Sequence, residues 1–158
     1  MRILTSTVLA AAILVASPAL ATDWQTVAMG GNKADVALIF VDKESLKLLP
    51  NGMARGWMIV VTKTIAEREL FEASCPDDRM HNLTVAMLSP TGAVLQEMPT
   101  AAWSYPAPGT PTYDVMKYVC SSGTFETDTT GTGIKDSTPI AYERKIIDEY
   151  DKENRAKR

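Results

Sequence analysis

The only histidine of the chain, His81, stands just after Asp77 and Asp78. That grouping offers either a base oriented by a carboxylate or the beginning of a metal-binding set. Acid–base catalysis needs a second group within hydrogen-bond reach, and no motif along the chain supplies one at a recognisable spacing. A lone histidine in a strand is ordinarily a surface or edge residue. Cys75 and Cys120 add sulfur ligands, but two distant cysteines and one histidine do not make a four-ligand zinc set. Serines are plentiful, yet no Gly-x-Ser-x-Gly elbow is present. Gly131-Thr132-Gly133 lacks the lysine and the further glycine that cradle a phosphate. Asn82-Leu83-Thr84 spells a glycosylation acceptor, a triplet that often arises by chance. The expectation is a protein that is not an enzyme, with no catalytic, cofactor-binding or metal-binding residue.

The two cysteines take their meaning from the N-terminus. Met1-Arg2 gives a positive start, Ile3 to Ala16 is apolar apart from small hydroxyl residues, and Ala19-Leu20-Ala21 places small side chains where signal peptidase accepts them. Residues 1–21 therefore read as a signal peptide cleaved between Ala21 and Thr22. The run is shorter than the roughly 20 apolar residues that span a bilayer. Thr22 stands where a lipoprotein would need cysteine, so no stable membrane anchor is expected after cleavage. Export places the protein in the periplasm, at the cell surface or in the medium. An even cysteine pair there reads as a Cys75–Cys120 disulfide.

The whole chain has 158 residues and a formal net charge of −3. Losing Arg2 with the leader makes the mature chain more acidic. No Lys/Arg cluster lies outside the extreme C-terminus, so the counterion-displacing surface that nucleic-acid binding needs is missing. The mature length suits one core.

The elements that position these residues follow from periodicity and turn chemistry. Asp23 to Ala28 reads as a first strand ended by Gly30-Gly31-Asn32. Val36 to Val41 is apolar at every position and so belongs inside a sheet covered on both faces. Pro50-Asn51-Gly52 is a turn, and Met53 to Thr64 reads as the longest strand, with Trp57, Ile59 and Val61 on one face and Met58, Val60 and Thr62 on the other. Two readings of these doubly apolar strands stay open: a sheet with a helix on one side and a partner chain or crossing strand on the other, or a simple two-layer core. Thr64 to Leu70 is charged and reads as a solvated connection. Phe71 to Leu88 is then the anchor, broken or bulged at Pro76-Asp77-Asp78. Ser89-Pro90-Thr91-Gly92 turns the chain and Ala93 to Glu97 returns as hairpin partner. Proline excludes Pro99 to Pro111 from a central strand, though buried Trp103 and Tyr105 could hold it to the domain. Val115, Met116, Val119 and Cys120 recur at helical spacing, which buries one face and turns Cys120 toward the sheet.

The order Trp24, Val41-Asp42 with Ser45-Leu46 and Gly52, Trp57, Cys75 with Arg79, Thr91-Gly92 with Val94, Trp103, and Pro108-Gly109 before Val119-Cys120 resembles the bacterial surface-adhesin protein E family. The resemblance covers about Trp24 to Cys120. It implies an antiparallel sheet with a helix tied to its concave face by a disulfide, often as a homodimer, and in some members the binding of host matrix proteins. No binding motif of the family maps onto residues of this chain.

Beyond residues 22–120, the adhesin-E-like domain, 121–135 reads as a flexible Ser/Thr/Gly linker. Asp136-Ser137-Thr138-Pro139 caps a helix that runs to about Asn154 within a C-terminal helix and tail over 136–158. Ile140, Ile146, Ile147 and Tyr150 give it a narrow apolar stripe, while pairs such as Arg144 with Asp148 contribute only about 0.3–0.5 kcal/mol each. The helix packs on its own sheet, frays in solvent, or docks a partner. The fold class is α+β, an antiparallel sheet of about six strands with one disulfide-tied helix and an appended C-terminal helix. The leading functional expectation is a non-enzymatic module that contacts a protein partner through sheet or helix surface. The alternative is a periplasmic structural or accessory subunit of an envelope assembly.

Overall fold

The computed structural model describes residues 23–32, 35–99, 102–124, 133–134, 140, 144–149 and 152. The expected signal peptide and Ala21–Thr22 cleavage site, linker residues 125–132 and the expected helix cap at 136–139 lie outside the described residues. One antiparallel sheet organises the rest. Its strands are β1 (Trp24–Asn32), β2 (Asp35–Asp42), β3 (Lys47–Leu49), β4 (Met53–Val61), β5 (Ala66–Ser74), β6 (Arg79–Leu88), β7 (Val94–Pro99) and β8 (Gly133–Ile134). They run in the order β7-β6-β5-β4-β2-β1-β8, with β3 alongside β4. Six are long, as expected, and β3 and β8 are short additions. The helix α1 (Pro111–Cys120) packs on one face. Residues 144–149 are helical as well.

The period-two pattern of β4 sorts its side chains between two cores. Ala54 and Met58 join Ile39, Val41, Phe71, Ala73 and Met80 against Val115, Met116, Tyr118 and Val119 of α1. Ile59 and Val61 join Trp24, Leu38, Phe40, Ala66, Ala86 and Leu88 against Ile140 and Ile147 from the C-terminal segment. Both faces of β2 and β4 are therefore covered, by α1 on one side and by the chain's own C-terminal segment on the other. Of the three readings of the tail, packing on its own sheet matches these buried isoleucines. Each such buried side chain contributes roughly 1.5–3 kcal/mol.

Several local expectations are corrected. The charged stretch from Thr64 is not a solvated connection, because β5 begins at Ala66 and pairs with β4 as far as Ser74. Its charges Glu67, Arg68 and Glu69 are consecutive and so fall on both faces, which hides the alternation that marks a strand. Pro76-Asp77-Asp78 is not a break in a continuing strand but the turn of a β5–β6 hairpin; Asp78 takes a positive φ of 50°. Gly30 to Asn32 do not end β1 but pair with β2. Gly30 is needed there for close approach, since a Cβ would lie 2.3 Å from Pro111 Cγ at the start of α1. The C-terminal end of the linker is extended: Gly133–Ile134 pairs with β1. The longest strand is β6, with ten residues. Tyr105 is not buried but 70% exposed.

The turn at Asn51 and Gly52 bears out its signal, with φ of 65° and 72°. It also seats the disulfide, because the Cys75 amide donates to the Gly52 carbonyl at 3.1 Å. Thr110 caps α1 by accepting from the Tyr113 amide, Pro111 opens its first turn, and the other end presents Cys120 to Cys75. The two are bonded across a sequence separation of 45.

Candidate functional site

β5 carries carboxylates on both faces, and the neighbouring strands decide what each one meets. Glu67 and Glu69 share the α1 face with Phe71, while Glu72 points to the opposite one. Glu69 is only 7% exposed. It lies in a cleft of about 400 Å³ whose lining includes Met58, Val60, Met80, Asn82, Ser104 and Thr112. Asn82 Nδ2 donates to Glu69 Oε2, and the structure gives the carboxylate no ion pair among the described residues. Burial, and next the charge of Glu67, raise the Glu69 pKa from 4.5 to about 7. A concave site lined about equally by apolar and polar surface, with convergent polar groups and a displaced carboxyl, has the features of a ligand-binding cleft.

The cleft is built by two neighbours that cross the sheet. The N-terminal turn of α1 brings Thr112 and Val115 over it. The 102–104 segment closes the side beyond β6, where Ser104 and Met80 exchange backbone hydrogen bonds at 3.0 and 2.8 Å and Ser104 Oγ also donates to the Met80 carbonyl.

On the opposite face a row of polar and aromatic side chains crosses three strands. Arg55 of β4 pairs with Glu72 of β5, and Glu72 Oε2 lies 3.2 Å from His81 Nε2 of β6. The His81 ring stacks on Trp103 at 3.9 Å, and the Arg79 guanidinium lies over the same indole at 4.7 Å. Arg68 lies 5.0 Å over Trp57. The Arg55 guanidinium, helped by His81, holds the Glu72 carboxyl below its usual value. His81 therefore sits in a cross-strand network rather than at an acidic turn. Asp77 instead accepts from Ser74 Oγ at 2.7 Å and pairs with Arg79. Among the described residues no three His, Cys, Asp or Glu side chains are grouped to hold a metal ion.

The third feature is the edge strand β7, exposed along its whole length. Its inner edge pairs with β6; no described strand pairs with its outer edge. Val94, Leu95 and Met98 are 45%, 67% and 37% exposed.

Of the residues singled out in the sequence, the structure unites Cys75 with Cys120. It separates His81 from Asp77 and Asp78, and places Asn82-Leu83-Thr84 inside a paired strand. The residue missed was Glu69. The alternation Glu67, Glu69, Phe71 was its available signal, because a strand whose Phe71 is core puts both acids on the core face. Among the described residues no helix is long and apolar enough to cross a membrane. No family model, curated protein or solved structure matches the chain.

Proposed function

We propose that this chain is an exported, non-enzymatic binding module that docks an extended segment of a protein partner along the outer edge of β7. The observation that carries the reading is the exposure of that edge with apolar side chains on both of its faces. An unpaired strand offers a row of backbone donors and acceptors, and proteins commonly blunt such edges with lysine, proline, bulges or a covering element. Here β7 has one charge, Glu97, a proline only at its last position, Pro99, and one bulge, at Leu95 near its start, so the stretch from Gln96 to Met98 is left regular and unguarded. Strand addition draws affinity from the main chain and selectivity from the alternating side chains. A bulge at Leu95 puts Val94, opposite Leu88, and Met98, opposite Val85, on different faces of the strand.

Export rests on the leader and the disulfide pair. The resemblance to the surface-adhesin protein E family favours an extracellular matrix protein as the partner, at the cell surface. An envelope assembly would offer a periplasmic partner to the same edge.

The test combines protease shaving of intact cells with binding of the mature chain to immobilised matrix proteins. The expected result is loss of the chain from whole cells, with a periplasmic marker protected, and matrix binding that falls at least tenfold in Val94→Lys/Leu95→Lys. Unfolding of that variant should be unchanged, since both side chains are already in solvent. Unchanged binding by the variant overturns the edge as the docking site. Protection until the outer membrane is opened overturns the matrix reading. A concentration-dependent dimer abolished by the same variant would assign the edge to a second copy of the chain instead.

A further inference from the structure

A buried carboxylate is costly unless paired, and buried charges are normally matched by a cation or several hydrogen bonds. Glu69 has the Asn82 amide and, among the described residues, no cation. It is nevertheless not sealed in the core, since it lines the cleft between α1, the 102–104 segment and strands β4 to β6. We propose that this cleft is a binding site for a small organic cation, a protonated amine or guanidinium on a short apolar body.

Each part of the lining has a counterpart in such a ligand. Glu69 supplies a charged acceptor in low-dielectric surroundings, where a charge-assisted hydrogen bond is strongest. Glu67, next on the same face of β5, adds negative potential without blocking the cleft. Met58, Val60 and Met80 offer apolar surface to an alkyl chain. The hydroxyls of Ser104 and Thr112 offer acceptors for the remaining N–H groups; Ser104 already donates its own proton to the Met80 carbonyl, which leaves its oxygen to accept. The volume is at the lower end of the range for small-molecule sites, roughly 300–1,000 Å³. A neutral ligand would leave the carboxylate unpaired, and an anionic one would be repelled by both acids.

The groups facing Glu69 decide the pH behaviour. From β4 these are Met58 and Val60, and from α1 Thr112 and Val115. The 102–104 segment contributes Ser104, and β6 contributes Asn82. None of these titrates. Glu67 remains to influence the site, and His81, which borders the cleft from β6, has its ring engaged by Glu72 and Trp103 on the other face.

The experiment is a titration of the full mature chain with n-butylamine, n-butylguanidine and, as the neutral control, 1-butanol, followed by amide resonances. At pH 8 the two cations should shift the amides of Glu69, Asn82, Ser104 and Thr112, and 1-butanol should not. The stronger of n-butylamine and n-butylguanidine identifies the head group. Affinity should fall about tenfold between pH 8 and pH 6 as Glu69 takes up its proton with a pKa of about 7. Glu69→Gln keeps the shape and the Asn82 contact, and should lose at least tenfold in affinity at pH 8. His81→Asn should leave the pH profile in place. Equal binding of the alcohol, unchanged affinity in Glu69→Gln, a profile that follows His81, or no shift with millimolar cation would each overturn the proposal. Matrix binding at β7 is unaffected by Glu69→Gln, so failure here leaves the edge-strand reading standing.

Discussion

Glu69 and Glu72 stand three positions apart on β5, and the pleat sends them to opposite faces of the sheet. Glu69 meets apolar side chains, an amide and another acid, so burial drives its pKa up. Glu72 meets Arg55 and His81, so its pKa is driven down. The same residue type is destabilising as an anion on one face and stabilising on the other. The difference comes from cross-strand neighbours, which set the sign of an electrostatic contribution as firmly as distance to solvent does. The faces also differ in how their coverings are held. The bond to Cys75 fixes α1 to the sheet, whereas Ile140 and Ile147 hold the C-terminal segment by burial.

The largest expected effect lies in that covalent tie. A closed loop of 45 positions stabilises by about 4 kcal/mol through the entropy it removes from the unfolded chain. Cys75→Ala/Cys120→Ala should therefore lower the denaturant-extrapolated unfolding free energy by about that amount. Amide exchange in α1 should rise more than in β2 or β4, which are covered on both sides. Equal loosening of both faces would break the contrast between a bonded and a packed covering.

Next in size is the inverted carboxylate. In the native chain Glu69 keeps its proton up to about pH 7, while in the unfolded chain it ionises near 4.5. Between those values the native state holds more protons, so its stability falls as pH rises, and the full cost is present above about pH 7. A shift of this size corresponds to about 3 kcal/mol. Glu69→Gln removes the titration and should raise stability at pH 8 by up to that amount, with little change at pH 4. Chemical unfolding of both chains at the two pH values checks it. A variant less stable at pH 8 would mean that the carboxylate is matched by a cation in the native protein.

Much of this architecture is legible in residue order, because turns and doubly covered strands leave local marks. Val36 to Val41 shows a buried strand by lacking any polar position. Pro50-Asn51-Gly52 and Ser89-Pro90-Thr91-Gly92 mark reversals through residues that tolerate the required φ, and Val115, Met116 and Val119 mark the buried face of α1. The β5–β6 hairpin was harder to read. Pro76-Asp77-Asp78 is as compatible with a bulge as with a reversal, and the charges of Ala66 to Leu70 conceal a strand whose pairing is dictated by β4 and β6. What covers the second face was also beyond local reading, since a narrow isoleucine stripe does not say whether it meets its own sheet. The cleft was the least legible part. Glu69 becomes unusual only when α1 and Ser104, both distant in sequence, close over it.

The smallest effect tests the other half of the comparison. Glu72 is stabilised as an anion by Arg55 first and His81 second, so its folded pKa lies below 4.5. That contribution is fully present above the unfolded value and is lost as pH falls through the lower folded one. Arg55 is 47% exposed on its side chain, and solvent screening keeps such a pair below about 1 kcal/mol. Glu72→Gln should therefore cost less than about 1 kcal/mol at pH 7, and the difference from the parent chain should shrink as pH falls below 4.5. Its sign is opposite to that of Glu69→Gln, although the chemistry of the substitution and the strand are the same. Unfolding curves of the two variants at pH 8 make the contrast measurable in one experiment. If Glu72→Gln also stabilises, the row from Arg55 to Trp103 is not a charge network, and stacking of His81 and Arg79 on Trp103 holds that face together.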